Sequence, residues 1–336
     1  MRTSPALPWL AALLLLTLAT PSAASAVHHA IQVSIDPDAH RLAVHDSISL
    51  PEGAADTLIF RLHAGLSPRV AGDGAKLTLL GSPAGDGTTP PLETYRVDLE
   101  PGARHFSLRY GGEIHHPVGQ HGEEYARSFA ASPGLIGADG VFLGGASHWY
   151  PRIVGAPYLS FELAVSLPAA WRSVSQGYRT RGASANGRVA EIWREARPQE
   201  EIYLVAARFT EYERPGAQAD ALVFLREPDE ALAERYLELT GRYLRMYEEL
   251  IGPYPYGKFA LVENFWETGY GMPSFTLLGP QVIRLPFIPY TSYPHEILHN
   301  WWGNGVYVDF ASGNWSEGLT SYLADHLLKA QRGQGA

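Results

Sequence analysis

The sequence predicts an α+β protein, in which an all-β N-terminal region precedes a helix-bearing C-terminal one. Three observations carry this. Between Val27 and Thr210, short runs of alternating apolar and polar residues are interrupted about every ten residues by Gly, Pro or Asp, the rhythm of antiparallel strands. From residue 230 the apolar spacing changes to three and four, the period of a helix face. The 34 Gly and 25 Pro fit a chain rich in strands and turns, and 8 Trp, 18 Tyr and a hydrophobic content of 46% in 336 residues supply cores for two domains.

Residues 1–26 precede these elements and are of a different kind. Arg2 is followed by the apolar run Leu7–Leu18, broken only by Pro8 and Thr17, and then by Ala24-Ser25-Ala26. A short basic start, an apolar stretch and small residues are the marks of a secretory signal peptide. The run falls short of the roughly 20 apolar residues that span a bilayer. The expectation is export to the periplasm or medium with cleavage, and no stable membrane insertion afterwards. Loss of 1–26 removes only Arg2 among charged residues, leaving 25 basic against 35 acidic. That balance argues against nucleic acid as a partner. With no cysteine, the chain has no thiolate ligand or Cys nucleophile, so any metal site must use His and carboxylates.

Ile31–Ile35, Ala75–Leu80, Phe106–Tyr110, Leu159–Leu167 and Glu201–Ala206 read as strands of the first domain, 27–215. His28, His29, His115, His116 and His121 read as solvated loop histidines. In the second domain, 216–336, Glu227-Pro228-Asp229 opens a helix. Its stripe of Leu232, Tyr236, Leu239, Tyr243, Met246, Tyr247 and Leu250 reads as core-facing, and Gly252-Pro253 stops it. Phe259–Val262 reads as a strand, Gly269–Pro273 as a loop or strand edge, and Ser292–Gly303 and Ser316–Ala330 as helices.

His295-Glu296-Ile297-Leu298-His299 carries the chemistry. Residues four apart share a helix face, so both imidazoles can reach one tetrahedral zinc ion. Glu296 projects about 100° away, where it can take a proton from a water at the ion's open position without ligating the metal. Trp301 and Trp302 mark a buried helix, in which these polar groups would be costly without partners. The third ligand is expected to be Glu317, in the first turn of the next helix after Ser312-Gly-Asn-Trp-Ser316. Asp309 competes from a strand-like connector, and His326 lies two turns deeper.

His295–Asn304 followed by Trp315-Ser316-Glu317-Gly318-Leu319 resembles the M1 aminopeptidase family of gluzincins. Tyr247–Tyr256 is similar to that family's entry into the catalytic domain, and Trp149-Tyr150-Pro151 to a turn of its β domain. The resemblance implies a saddle-like N-terminal domain, then a thermolysin-like catalytic domain, incomplete at its C-terminus. It implies one zinc per chain and a peptide substrate cut at its N-terminal end. Three departures stand out. Seventeen residues separate His299 from Glu317, where the family has eighteen. Its Gly-x-Met-Glu-Asn segment, whose acid grips the substrate's α-amine, reads Tyr270–Ser274 here, with Pro273 for the acid. Glu263 and Glu267 lie just upstream and are the expected replacements, lining the cleft with Gly271 and Met272. The family's oxyanion-donating tyrosine falls beyond residue 336, so the catalytic domain is expected to be truncated. An endopeptidase, a non-peptide hydrolase or a weakly active binding fragment are the alternatives.

Overall fold

The computed structural model describes residues 26–333, apart from 84, 86–88, 122–128, 183, 310, 312 and 332. The expected leader therefore lies outside the described residues, Ala26 excepted. Among the described residues no helix is long and apolar enough to cross a membrane.

The N-terminal region is built on a seven-stranded sheet. Its strands run in the order 178–181, 188–199, 159–168, 27–36, 41–49, 105–113 and 69–70. Strict alternation decides which face is buried: Ile31, Val33 and Ile35 point inward between exposed Gln32, Ser34 and Asp36. The neighbouring pairs are antiparallel except one. Val27–Asp36 pairs parallel with Leu159–Pro168, which corrects the all-antiparallel expectation. Strands distant in sequence can join edge to edge without a hairpin, so spacing cannot reveal the direction. Two four-stranded sheets complete the layer against it. Trp149 and Tyr150 are fully buried there, with Trp149 Nε1 donating to Ile202 O at 3.2 Å.

The expected strand Glu201–Ala206 begins only at Leu204. The backbone N–H groups of Ile202 and Tyr203 donate instead to Tyr150 Oη and Gln176 Oε1, at 3.1 and 2.9 Å. Four of the five histidines taken as solvated loops also have other surroundings. His28 and His29 sit on the first strand, and alternation buries His29 to 2% exposure, 2.8 Å from Asp46 Oδ2. His116 lies 2.8 Å from His63, and His115 Nδ1 3.0 Å from Ile136 O.

The second half is organised on a five-stranded sheet in the order 210–214, 220–225, 258–263, 275–278 and 269–272. It begins at Thr210, ahead of the expected changeover at 215/216, because 210–214 forms a hairpin with 220–225. Alternation gives this sheet two apolar faces. Leu222, Phe224, Ala260 and Val262 join the core of the β region, whereas Ala221, Val223, Phe259 and Leu261 join a second core under the helices. The sheet is thus a shared wall.

Helix α1, Glu230–Ile251, starts where Asp229 Oδ1 accepts from Leu232 N at 3.0 Å, and it ends at Gly252, φ +129°. Tyr236, Leu239, Tyr243 and Tyr247 are buried as the stripe predicts, but Leu250 is 54% exposed. Helix α2 is Ser292–Leu298, shorter than expected. The Asn300 side chain donates to the carbonyls of Glu296 and Ile297, and Gly303 takes φ +109°, so the chain turns away. Helix α3, Trp315–Ser321, continues through a π-helical turn, 322–326, into α4, Leu327–Gln331.

Candidate metal centre

His295 and His299 project from the end of α2, and Glu317 from the first turn of α3. Their donor atoms converge. His295 Nε2 and His299 Nε2 are 3.1 Å apart, and the Glu317 oxygens lie 3.4 Å from the first and 3.3 Å from the second. Donors on a tetrahedral zinc ion, at bonds of about 2.0–2.1 Å, stand about 3.3–3.4 Å from one another. The two imidazole nitrogens and the Glu317 carboxylate, one oxygen toward each ring, thus come within reach of a single ion, and these three residues alone form such a cluster among the described residues. Asp309 is not part of it.

Local structure holds the triad. The Trp302 carbonyl accepts from His299 Nδ1 at 3.2 Å and from Ser316 Oγ at 2.8 Å. One acceptor thus orients the ring and anchors the start of α3. A proton kept on Nδ1 leaves the Nε2 lone pair for a metal. Burial lowers the His295 pKa, and the neighbouring His299 lowers it further, which favours the neutral imidazole that ligation needs.

The Glu296 carboxylate lies close against Gly271, as does the His299 ring, and it lines the same cleft as the histidines. Burial, then the charge of Glu317, pushes its pKa up to about 7. The cleft around these groups, about 660 Å³, is lined by Gly271, Met272, His295, Glu296, His299 and Glu317. Its opposite wall comes from the β region: Phe142, Gly144, Glu200, Glu201 and Tyr203.

Gly271 and Met272 therefore stand where expected. Glu263 and Glu267 do not. Glu263 is 3% exposed, bonded to Arg284 Nη1 at 2.6 Å and to Arg226 N at 2.8 Å. Glu267 Oε1 accepts from Gln281 N at 2.9 Å. Both carboxylates are taken up by backbone and arginine partners away from the cleft, an outcome that nearness in sequence could not exclude. The acids that do face the cleft, Glu200 and Glu201, come from the other half of the chain. Glu201 accepts from Gly145 N, and burial together with Glu201 raises the pKa of Glu200. In sequence Glu201 only opens an expected strand, and nothing there shows that the pair faces the other half of the chain.

No family profile matches the chain. A stretch of 103 residues is 31% identical to leucine aminopeptidase 2 of Emericella nidulans; it covers 28% of this chain and only 16% of that protein. Solved structures align over far more of the chain. An M1 zinc metallopeptidase from Deinococcus radiodurans superposes with a TM-score of 0.65 at 18% identity, over 93% of this chain and 72% of its own. Yeast LTA4 hydrolase gives 0.64 at 16% identity, over 92% and 49%. The chain thus has the fold of the M1 zinc metallopeptidases, with His295, His299 and Glu317 brought to one point inside it.

Proposed function

We propose that this chain is an exported zinc peptidase of the M1 aminopeptidase type, with one zinc held by His295, His299 and Glu317 and with Glu296 as general base. The observation that carries this reading is the convergence of two imidazole nitrogens and the Glu317 carboxylate on one point, with a half-buried carboxylate, Glu296, one residue along the helix. Zinc held there would polarise a carbonyl and acidify a water. Glu296 would accept a proton from the water as its oxygen adds to the carbonyl carbon, and would return it to the amine nitrogen as the C–N bond breaks. A bound cation would lower the Glu296 pKa and hold the carboxylate ionised, the form that accepts a proton.

The strand Gly269–Met272 is the free edge of the five-stranded sheet and lines the cleft, so an extended peptide can add alongside it. A structure of the Deinococcus enzyme carries a Tyr-Ser-Ala substrate. With Pro273 unable to pair an ammonium, Glu200 and Glu201 are the acids left to receive a peptide's free N-terminus. The likeness to yeast LTA4 hydrolase favours a non-peptide substrate as the second reading.

Metal analysis of the purified protein tests the site. Wild type should hold one zinc per chain, and His295→Ala and Glu317→Ala should lose it; undiminished zinc in either variant removes that residue. Glu296→Gln should keep zinc and lose about 10²–10⁴-fold in hydrolysis. A free-amine peptide and its N-acetylated twin separate the readings. Equal turnover of the two, or no rise in KM for the free amine in Glu200→Gln and Glu201→Gln, argues against N-terminal recognition.

A further inference from the structure

A second cavity lies on the far side of the connector that leaves the metal helix. It measures about 840 Å³, opens to solvent and is lined by apolar side chains of the β region, among them Leu50, Ala54, Leu58 and Val154. That volume is within the range of small-molecule sites. Tyr158 and Tyr307 form a stacked pair in its wall, ring centroids 5.0 Å apart. Asn304 lines both this cavity and the metal cleft, so the turn after α2 is a wall common to the two.

The polar equipment is sparse and one-sided. Arg197 is the one charged side chain among the described lining residues, and it is exposed at the cavity's mouth. Its guanidinium rests 5.6 Å from the centre of the Tyr256 ring and, among the described residues, makes no hydrogen bond or ion pair. Gln199, also in the lining, is 1% exposed, and its Nε2 donates to Pro198 O at 3.0 Å. An apolar, aromatic-walled cavity with one cation at its mouth has a chemical complement: a ring-bearing apolar body that carries a single anionic group.

We infer that this cavity is a binding site for a ring-bearing monoanion, separate from the metal cleft and sharing the Asn304 wall with it. The inference does not depend on the peptidase reading, since binding can be read without turnover.

The probe is 1-anilinonaphthalene-8-sulfonate, paired with N-phenyl-1-naphthylamine, which has the same rings without the sulfonate. Fluorescence titration of the full chain should show one saturable site per chain for the sulfonate. Ala54→Phe fills the chamber, and Val154→Trp narrows it from an exposed rim position that cannot disturb the core. Each should weaken both probes. Arg197→Gln should weaken the sulfonate by about tenfold or more, the loss expected when a contact to a charge is removed, and leave the uncharged probe unchanged. Unaltered binding in both Ala54→Phe and Val154→Trp would overturn the site. An Arg197→Gln variant that weakens the two probes equally would overturn the charge recognition.

Discussion

A methyl group added at Gly271 would stand 2.3 Å from Glu296 Oε2 and 3.7 Å from His299 Cδ2. The glycine is therefore there to let the base lie against the edge strand. The atom in the way ends a flexible side chain, so Gly271→Ala should fold and bind zinc normally while its base swings out of place. A displacement of about 1 Å in such a group can cost about a hundredfold. Steady-state kinetics beside a melting curve and a zinc assay check this; wild-type turnover would show that Glu296 need not sit there. Lys258 supports a different single-residue expectation. It is 3% exposed, and its Nζ donates to Ser274 O and Oγ at 3.0 and 2.6 Å. Burial holds its pKa well below the ordinary lysine value. Between that lowered value and about 10.4 the unfolded chain binds a proton that the folded chain does not, so stability rises with pH there. Denaturant titrations from pH 7 to 9 should show this slope in wild type and a shallower one in Lys258→Met. An unchanged slope would assign it to another group.

Among the elements, the turn at Pro273-Ser274 and helix α2 are joined by one buried side chain. Asn300 Oδ1 accepts from Ser274 N at 2.6 Å while its Nδ2 caps carbonyls of α2, and both residues are fully buried. Asn300→Ala would leave the Ser274 N–H unmet, a cost of about 1–3 kcal/mol, and would loosen the strand from the metal helix. The expected result is a lower melting temperature together with weaker zinc retention during dialysis against a chelator. Retention equal to wild type would confine Asn300 to a purely structural part. The same elements show what the sequence makes legible. Helix α1 could be read from its stripe, cap and stop, because all three signals are local. The histidine pair could be read because a helix fixes the i, i+4 geometry. Glu200 and Glu201 could not, since they reach the cleft only when strands far apart in sequence pack together. Glu263 failed for the complementary reason: a strand position beside the motif says nothing of Arg284, twenty-one residues on, which takes its carboxylate.

At the scale of the whole molecule, the five-stranded sheet belongs to two cores, and this sets how the chain must fold. One face contributes Leu222, Phe224, Ala260, Val262, Met272, Phe275 and Leu277 to the β region's core, and all seven are under 7% exposed. Burying a Leu, Val, Phe or Met side chain is worth about 1.5–3 kcal/mol, so uncovering these would forfeit roughly 9–18 kcal/mol. Whole domains are stable by only about 5–15 kcal/mol. The metal ligands lie entirely within 295–317, and local geometry alone would suggest that a catalytic fragment could be excised around them. The shared wall argues otherwise: from the other half, Phe142 packs on Tyr270 of the strand that carries Gly271, and Tyr203 packs on Phe275 of its hairpin partner, while both also line the cleft. Residues 210–333 expressed alone should therefore aggregate or lack fixed tertiary structure, with no near-ultraviolet dichroism and only weak zinc binding. In residues 26–333 both halves should melt in one transition that zinc shifts upward as a unit. A soluble 210–333 fragment that unfolds cooperatively and binds zinc as tightly as the longer chain would show that the sheet needs only its helical side.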